Sequence, residues 1–125
     1  MSTKKTAVNK NKAPLEKNLN KEIIAWLDLL PSVIWFERLN SGTVQTAYGS
    51  WVKLCRKGTP DFIALVHGGD ITHVLFIEAK RKGEIQRPEQ KWFQNEVDGI
   101  SNVHYLLVYD VLTLTNKINE ISSFS

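Results

Sequence analysis

Asp61, Glu78 and Lys80 are the side chains in this sequence whose types and spacing suit work on an anionic substrate. Alternate residues of a strand share a face. Within residues 71–80 (ITHVLFIEAK), Glu78 and Lys80 therefore point the same way, together with Val74 and Phe76, while Ala79 points opposite. Gly68, Gly69 and Asp70 form a tight turn that folds residues 61–67 (DFIALVH) back onto that strand, so Asp61 and Glu78 converge. Two carboxylates at the end of an apolar sheet are costly to hold without a compensating cation, which is either Lys80 alone or a bound divalent metal. An oxygen-only donor set selects a hard ion, Mg2+ or Mn2+, held by one or two carboxylates with waters and substrate phosphate. The sequence lacks the paired Cys or His of a structural zinc site.

The elements that must position these groups are legible in the hydrophobic pattern. Leu15, Leu19, Ile23, Leu27 and Leu30 recur every three to four positions, a single helical stripe opened by Pro14 and closed before Pro31. Glu22 sits at the border of that stripe. Residues 32–39 (SVIWFERL) read as a strand leading through Asn40, Ser41 and Gly42 into a hairpin, and residues 51–56 as a second extended run. Pro88 opens a helix containing Trp92, Phe93 and Val97, which Gly99 closes. Residues 103–109 (VHYLLVY) make a buried strand, and Asp110 caps a short last helix whose Leu112, Leu114 and Ile118 pack back. This order gives an α/β or α+β domain on a mixed sheet, with the 71–80 and 103–109 strands parallel and adjacent because a helix joins them.

Composition bounds the function classes. With 125 residues, 42% hydrophobic and 23% charged, the chain suits one compact domain over residues 14–125, preceded by a flexible basic arm at 1–13. A lone Cys55 forms no internal bridge and reads as a half-buried small side chain. No signal-peptide run and no stretch of eighteen apolar residues is present, which makes a reduced cytoplasmic compartment the expectation. The net charge of +3 divides unevenly, since residues 1–17 hold five lysines and one glutamate and the remainder is close to neutral. Eight cations nevertheless fall between positions 53 and 91, around the acids. His67 ends its strand on the Asp61 face, while His73 and His104 read as structural or exposed. Trp26, Trp35, Phe36, Trp92 and Phe93 read as core and interface residues ahead of base-stacking platforms.

Gly58-Thr59-Pro60-Asp61-Phe62, then Ile77-Glu78-Ala79-Lys80, then Gln90 on the following helix, resembles the PD-(D/E)XK nuclease superfamily. Glu22 on the first helix, Arg38-Leu39-Asn40-Ser41-Gly42, Gly58, and Pro88-Glu89-Gln90-Lys91-Trp92 narrow the likeness to the virus-type replication-repair nuclease (VRR-NUC) domain, over about residues 18–115. Tyr109 and Asp110 stand where many members carry an Arg-Ser pair.

The resemblance implies a restriction-endonuclease-like αβββαβ core and metal-dependent hydrolysis of DNA phosphodiesters. By it, Asp61, Glu78 and the Ala79 carbonyl hold Mg2+ or Mn2+, with Glu22 completing the shell or hydrogen-bonding to it. Lys80 sits beside the attacking water, and Gln90 supports the acids or meets a phosphate. Lys53, Arg56, Lys57, Arg81, Lys82, Arg87 and Lys91 then flank the centre and hold DNA by its phosphates. Stand-alone members are similar to phage or prophage Holliday-junction-resolving enzymes, which implies a homodimer acting on branched DNA, with Val44, Tyr48 and Trp51 as candidates for its seam. A flap, end-processing or restriction-type nuclease, and a DNA-binding module that does not cut, are the alternatives.

Overall fold

A computed structural model describes residues 16–39 and 42–123. The expected arm at 1–13, Pro14 and Leu15 at the helix start, and the turn pair Asn40 and Ser41 lie outside the described residues. Three helices and six strands follow in the order α1 (Glu16–Leu29), β1 (Val33–Arg38), β2 (Thr43–Gln45), β3 (Trp51–Lys53), β4 (Phe62–Gly68), β5 (Ile71–Ala79), α2 (Pro88–Val97), β6 (Val103–Val108) and α3 (Val111–Ser122).

The result is an α+β architecture with a mixed central sheet flanked by helices. Its strand order is β1-β4-β5-β6, with β1, β4 and β5 antiparallel in turn and β6 parallel to β5. The parallel pairing follows from the connection. A chain that leaves β5 and returns through α2 comes back in the same direction. In β4 and β5 the alternation sorts side chains between two faces. Phe62, Ala64, Val66, Leu75, Ile77 and Ala79 turn toward α1 and α3, where they meet Ile23, Leu27, Leu114, Ile118 and Ile121 in the buried core. Each such Leu, Ile or Phe removed from water contributes about 1.5–3 kcal/mol. At Gly68 an added Cβ would lie 2.2 Å from the Ile121 carbonyl oxygen, so only glycine lets α3 approach the end of β4.

The second face carries Ile63, Leu65, Val74 and Phe76, all half-buried. Over it α2 sets Phe93 edge-on to Phe76, with ring centroids 5.0 Å apart. Asp61 and Glu78 belong to this face by the same alternation.

Several expectations need correction. β1 pairs with β4, and the hairpin that follows it is a separate two-stranded sheet of β2 and β3, with only Trp51–Lys53 of the 51–56 run extended. The last helix is twelve residues long, with Asp110 accepting a 2.9 Å bond from the Thr113 N–H as its cap. Leu112 is exposed, and Ile121 takes the buried position instead. Trp26, Trp35 and Trp92 are also exposed, because β1 is an edge strand and α1 and α2 each have an outer face. Among the described residues no helix is long and apolar enough to cross a membrane.

Candidate active site

The chain between β3 and β4 is folded so that Asp61 has little freedom. The Thr59 N–H and hydroxyl both donate to the Arg56 carbonyl, at 3.1 and 2.7 Å, closing a turn. Pro60 is buried and fixes the backbone angle before Asp61. The Asp61 carbonyl accepts from the Leu39 N–H at 2.7 Å, continuing the β1–β4 ladder by one residue. One residue beyond the Phe62–Ile77 pair, the Asp61 side chain meets β5, where Oδ2 accepts a 2.8 Å hydrogen bond from the Ala79 N–H.

Glu78 and Lys80 are each only 4% exposed and Gln90 only 2%. Ionic groups this buried stay charged only with partners. Gln90 Nε2 donates to Glu78 Oε2 at 3.0 Å, and Gln90 Oε1 accepts from the Arg87 N–H at 2.8 Å. One amide thus bonds the carboxylate and closes the first turn of α2, which Pro88 opens. Lys80 follows directly on β5, its N–H donating to the Val108 carbonyl at 2.9 Å.

Burial pushes the Asp61 carboxyl above the ordinary aspartate value; the Ala79 N–H and the charges of Arg38, Lys80 and Arg87 act in the opposite sense. The Tyr105 phenol, pushed up to about 12, is raised first by burial and further by the charges of Glu78 and Asp61, against a lowering hydrogen bond from Gln86. Tyr105 on β6 therefore senses both acids from the neighbouring strand. Gln86 Nε2 holds its hydroxyl at 3.3 Å and reaches Gln94 Oε1 at 3.0 Å.

Asp61, Glu78, Ala79, Lys80 and Gln90 thus come together at one end of the sheet. Glu22 is exposed on α1, whose buried stripe runs through Asn20, Ile23 and Leu27. The residues chosen for phosphate contact are all exposed: Lys53 on β3, Arg56 and Lys57 in the loop before Asp61, Arg81 and Lys82 after β5, Arg87 at the N-cap of α2 and Lys91 within it. Glu89 takes part of that charge, lying 3.6 Å from Lys57 and 3.8 Å from Arg87. His67 is exposed near the other end of β4. His73 Nδ1 and His104 Nε2 meet at 3.0 Å on the α3 side of the sheet.

Sequence reasoning missed Arg38 as a neighbour of Asp61, the Tyr105 ring, and the Ala79 N–H, having assigned Ala79 a role only through its carbonyl. For Arg38 the signal was its place at the end of a strand, which means little until β1 is known to pair with β4.

The donor chemistry fits a hard divalent ion. Asp61 and Glu78 lie on one face at the same end of the sheet, the burial that raises Asp61 is a cost a bound cation would offset, and oxygen is the donor type Mg2+ and Mn2+ take. Among the described residues no group of three or more His, Cys, Asp and Glu side chains is arranged to hold a metal, so the rest of a coordination shell falls to backbone carbonyl, water or substrate. Compared with family models, curated proteins and solved structures, the chain matches none.

Proposed function

We propose that this protein is a metal-dependent DNA endonuclease of the VRR-NUC type within the PD-(D/E)XK superfamily, built on the restriction-endonuclease-like core and acting as a homodimer on branched DNA such as a Holliday junction. The observation that carries this reading is the hydrogen bond from the Ala79 N–H to Asp61, which brings one acid beside the buried pair of Glu78 and Lys80.

Asp61, Glu78 and the Ala79 carbonyl would hold Mg2+ or Mn2+, which when bound supplies Lewis-acid polarisation of the phosphoryl oxygen and a more acidic water. Asp61 is fixed by its bond from β5 and Glu78 by Gln90, so both carboxylates are oriented before substrate arrives. The Lys80 ammonium orients the attacking water and offsets charge that grows on the phosphorus oxygens. Gln90 acts through Glu78, which its amide holds in place. Arg56, Lys57, Arg81, Lys82, Arg87, Lys91 and Lys53 hold the phosphates on either side, which gives recognition by shape ahead of sequence.

Support for pairing comes from the β2–β3 hairpin. It is a small sheet separate from the main one, and it exposes Val44, Trp51 and Tyr48, the last 95% exposed. Val44 pairs with Val52 on one face of this hairpin and Trp51 with Gln45 on the other, so the hairpin offers exposed apolar side chains on both faces, and a second copy covering one of them would supply two active sites for two symmetric cuts.

The test is cleavage of a four-way junction, a flap and a linear duplex with Mg2+ or Mn2+, beside Asp61→Asn and Lys80→Ala. Metal-dependent paired incisions in the junction, reduced at least about a hundredfold in either variant, are expected. Preferred cutting of the flap would move the substrate assignment, and equal cutting by wild type and variants would end the nuclease reading.

A further inference from the structure

Between the loop that leads into Asp61 and one side of α2 lies an open cavity of about 480 Å³. It is built from chain next to the candidate site, although Asp61, Glu78, Lys80 and Gln90 do not line it. Gly58 and Thr59 stand just ahead of Asp61, and Glu89 is next to Gln90, the residue that bonds Glu78. The seam between loop and helix is tight, since a Cβ at Gly58 would lie 2.5 Å from the Glu89 carbonyl oxygen.

The lining is divided by chemistry. Arg56 and Lys57 bring positive charge from the loop, Glu89 and Glu96 bring carboxylates from the helix, and Trp92 and Phe93 supply aromatic surface between them. Phe93 is anchored from behind by its edge contact with Phe76. Trp92 is 54% exposed, which leaves a large flat apolar ring in water beside two cations. A duplex is too wide for a cavity of this size, whereas about 300–1,000 Å³ is the range that accepts a small planar ligand.

We propose that this cavity takes one unpaired nucleotide of the DNA held at the acid pair, its base stacked on Trp92 with Phe93 as the back wall and its phosphate on Arg56 and Lys57. The inference rests on the nuclease reading above and makes a branch that carries an unpaired nucleotide the preferred form of its substrate. The two carboxylates fix the orientation. They accept hydrogen bonds from amino and imino N–H groups on the base edge, and the phosphate takes the place of Glu89, which lies 3.6 Å from Lys57. A base that is already unpaired enters at least cost, because no stacking or pairing is broken.

The test uses the full chain and two branched DNAs, one fully paired at the branch and one with an unpaired 2-aminopurine beside it. Binding is measured with Ca2+ and cleavage with Mg2+. The wild type should bind and cut the unpaired probe about tenfold better than the paired one, and quench the 2-aminopurine on binding. Trp92→Ala should lose both the preference and the quench, and Trp92→Phe should keep most of each. Equal handling of the two DNAs by the wild type, or a preference that survives Trp92→Ala, overturns the proposal while metal-dependent cutting keeps the nuclease reading intact. Failure of the wild type to bind or cut either DNA overturns both. The wild-type comparison and the phenylalanine variant decide the matter even where Trp92→Ala does not fold.

Discussion

The backbone N–H of Ala79 donates to Oδ2 of Asp61 at 2.8 Å, so one strand of the central sheet holds the acid that its neighbour presents. Burial raises this carboxyl above its unfolded value of 3.8 in spite of that bond. The folded state thus favours the protonated form, and the group's contribution to stability is fully present below the unfolded value and lost as pH rises through the folded one. At pH 7 the ionised acid is a net cost to the metal-free protein. Asp61→Asn keeps an acceptor for the Ala79 N–H and removes the charge. Its metal-free melting temperature should therefore exceed the wild type's at pH 7, by about 4 °C for each kcal/mol relieved, with the gap closing as pH falls through the folded value and gone below about 4. Calorimetry across pH 3–7 in a chelator checks this, and a gap that widens in acid would contradict it.

Gln90 joins two elements through one amide, and its two substitutions separate geometry from charge. Gln90→Leu removes the bonds to Glu78 and to the Arg87 N–H from a buried position, and should cost about 1–3 kcal/mol. Gln90→Glu retains an acceptor for Arg87 but faces a second carboxylate with Glu78 across what is now a 3.0 Å hydrogen bond. It should be the less stable of the two at pH 7 and recover as the added acid protonates. Urea midpoints at pH 7 and pH 5, with m unchanged, give the comparison.

Gly58 and Gly83 share a backbone conformation, with φ of +93° and +90°, but not their surroundings. Nothing lies within 4 Å of a Cβ built at Gly83, whereas one at Gly58 meets the Glu89 backbone at 2.5 Å. Gly83→Ala therefore reports left-handed strain alone, about 1–2 kcal/mol. Gly58→Ala should cost about 1–3 kcal/mol more, because the loop and α2 must separate. Equal urea midpoints for the two variants would show that the seam gives way freely.

The parts of the fold fixed by local pattern were legible in the sequence. Pro88 and Asp110 mark helix starts, the glycine pair at 68 and 69 marks the β4–β5 turn, and alternation around Glu78 and Lys80 puts both on one face. Pairing between distant strands was not legible. Residues 33–38 and 43–45 both read as extended, and only the tertiary ladder shows that β1 joins β4 while β2 turns to β3. The same limit hid Arg38 and Tyr105, which approach Asp61 from other strands. Trp92 misled for another reason. Tryptophan buries more surface than most residues, so an apolar pattern assigns it inward, and nothing local signals that a ring lines an open cavity.

His73 and His104 form another cross-strand polar contact, Nδ1 to Nε2 at 3.0 Å on adjacent β5 and β6. One ring donates and the other accepts, so the bond requires at least one neutral imidazole. His104 is held below its ordinary value of 6.5 chiefly by burial, then by the charges of Lys117 and His73, with Glu120 opposing. A depressed folded value means that the stability from the neutral ring is present above the unfolded value and lost as pH falls through the folded one. The urea midpoint of the wild type should hence drop between pH 7 and pH 5, and that of His104→Gln, which bonds His73 without titrating, should drop less. Proton NMR of the His104 ring should give a titration midpoint below 6.5. A midpoint above that value would mean that Glu120 outweighs burial, and stability would then rise on acidification through this window.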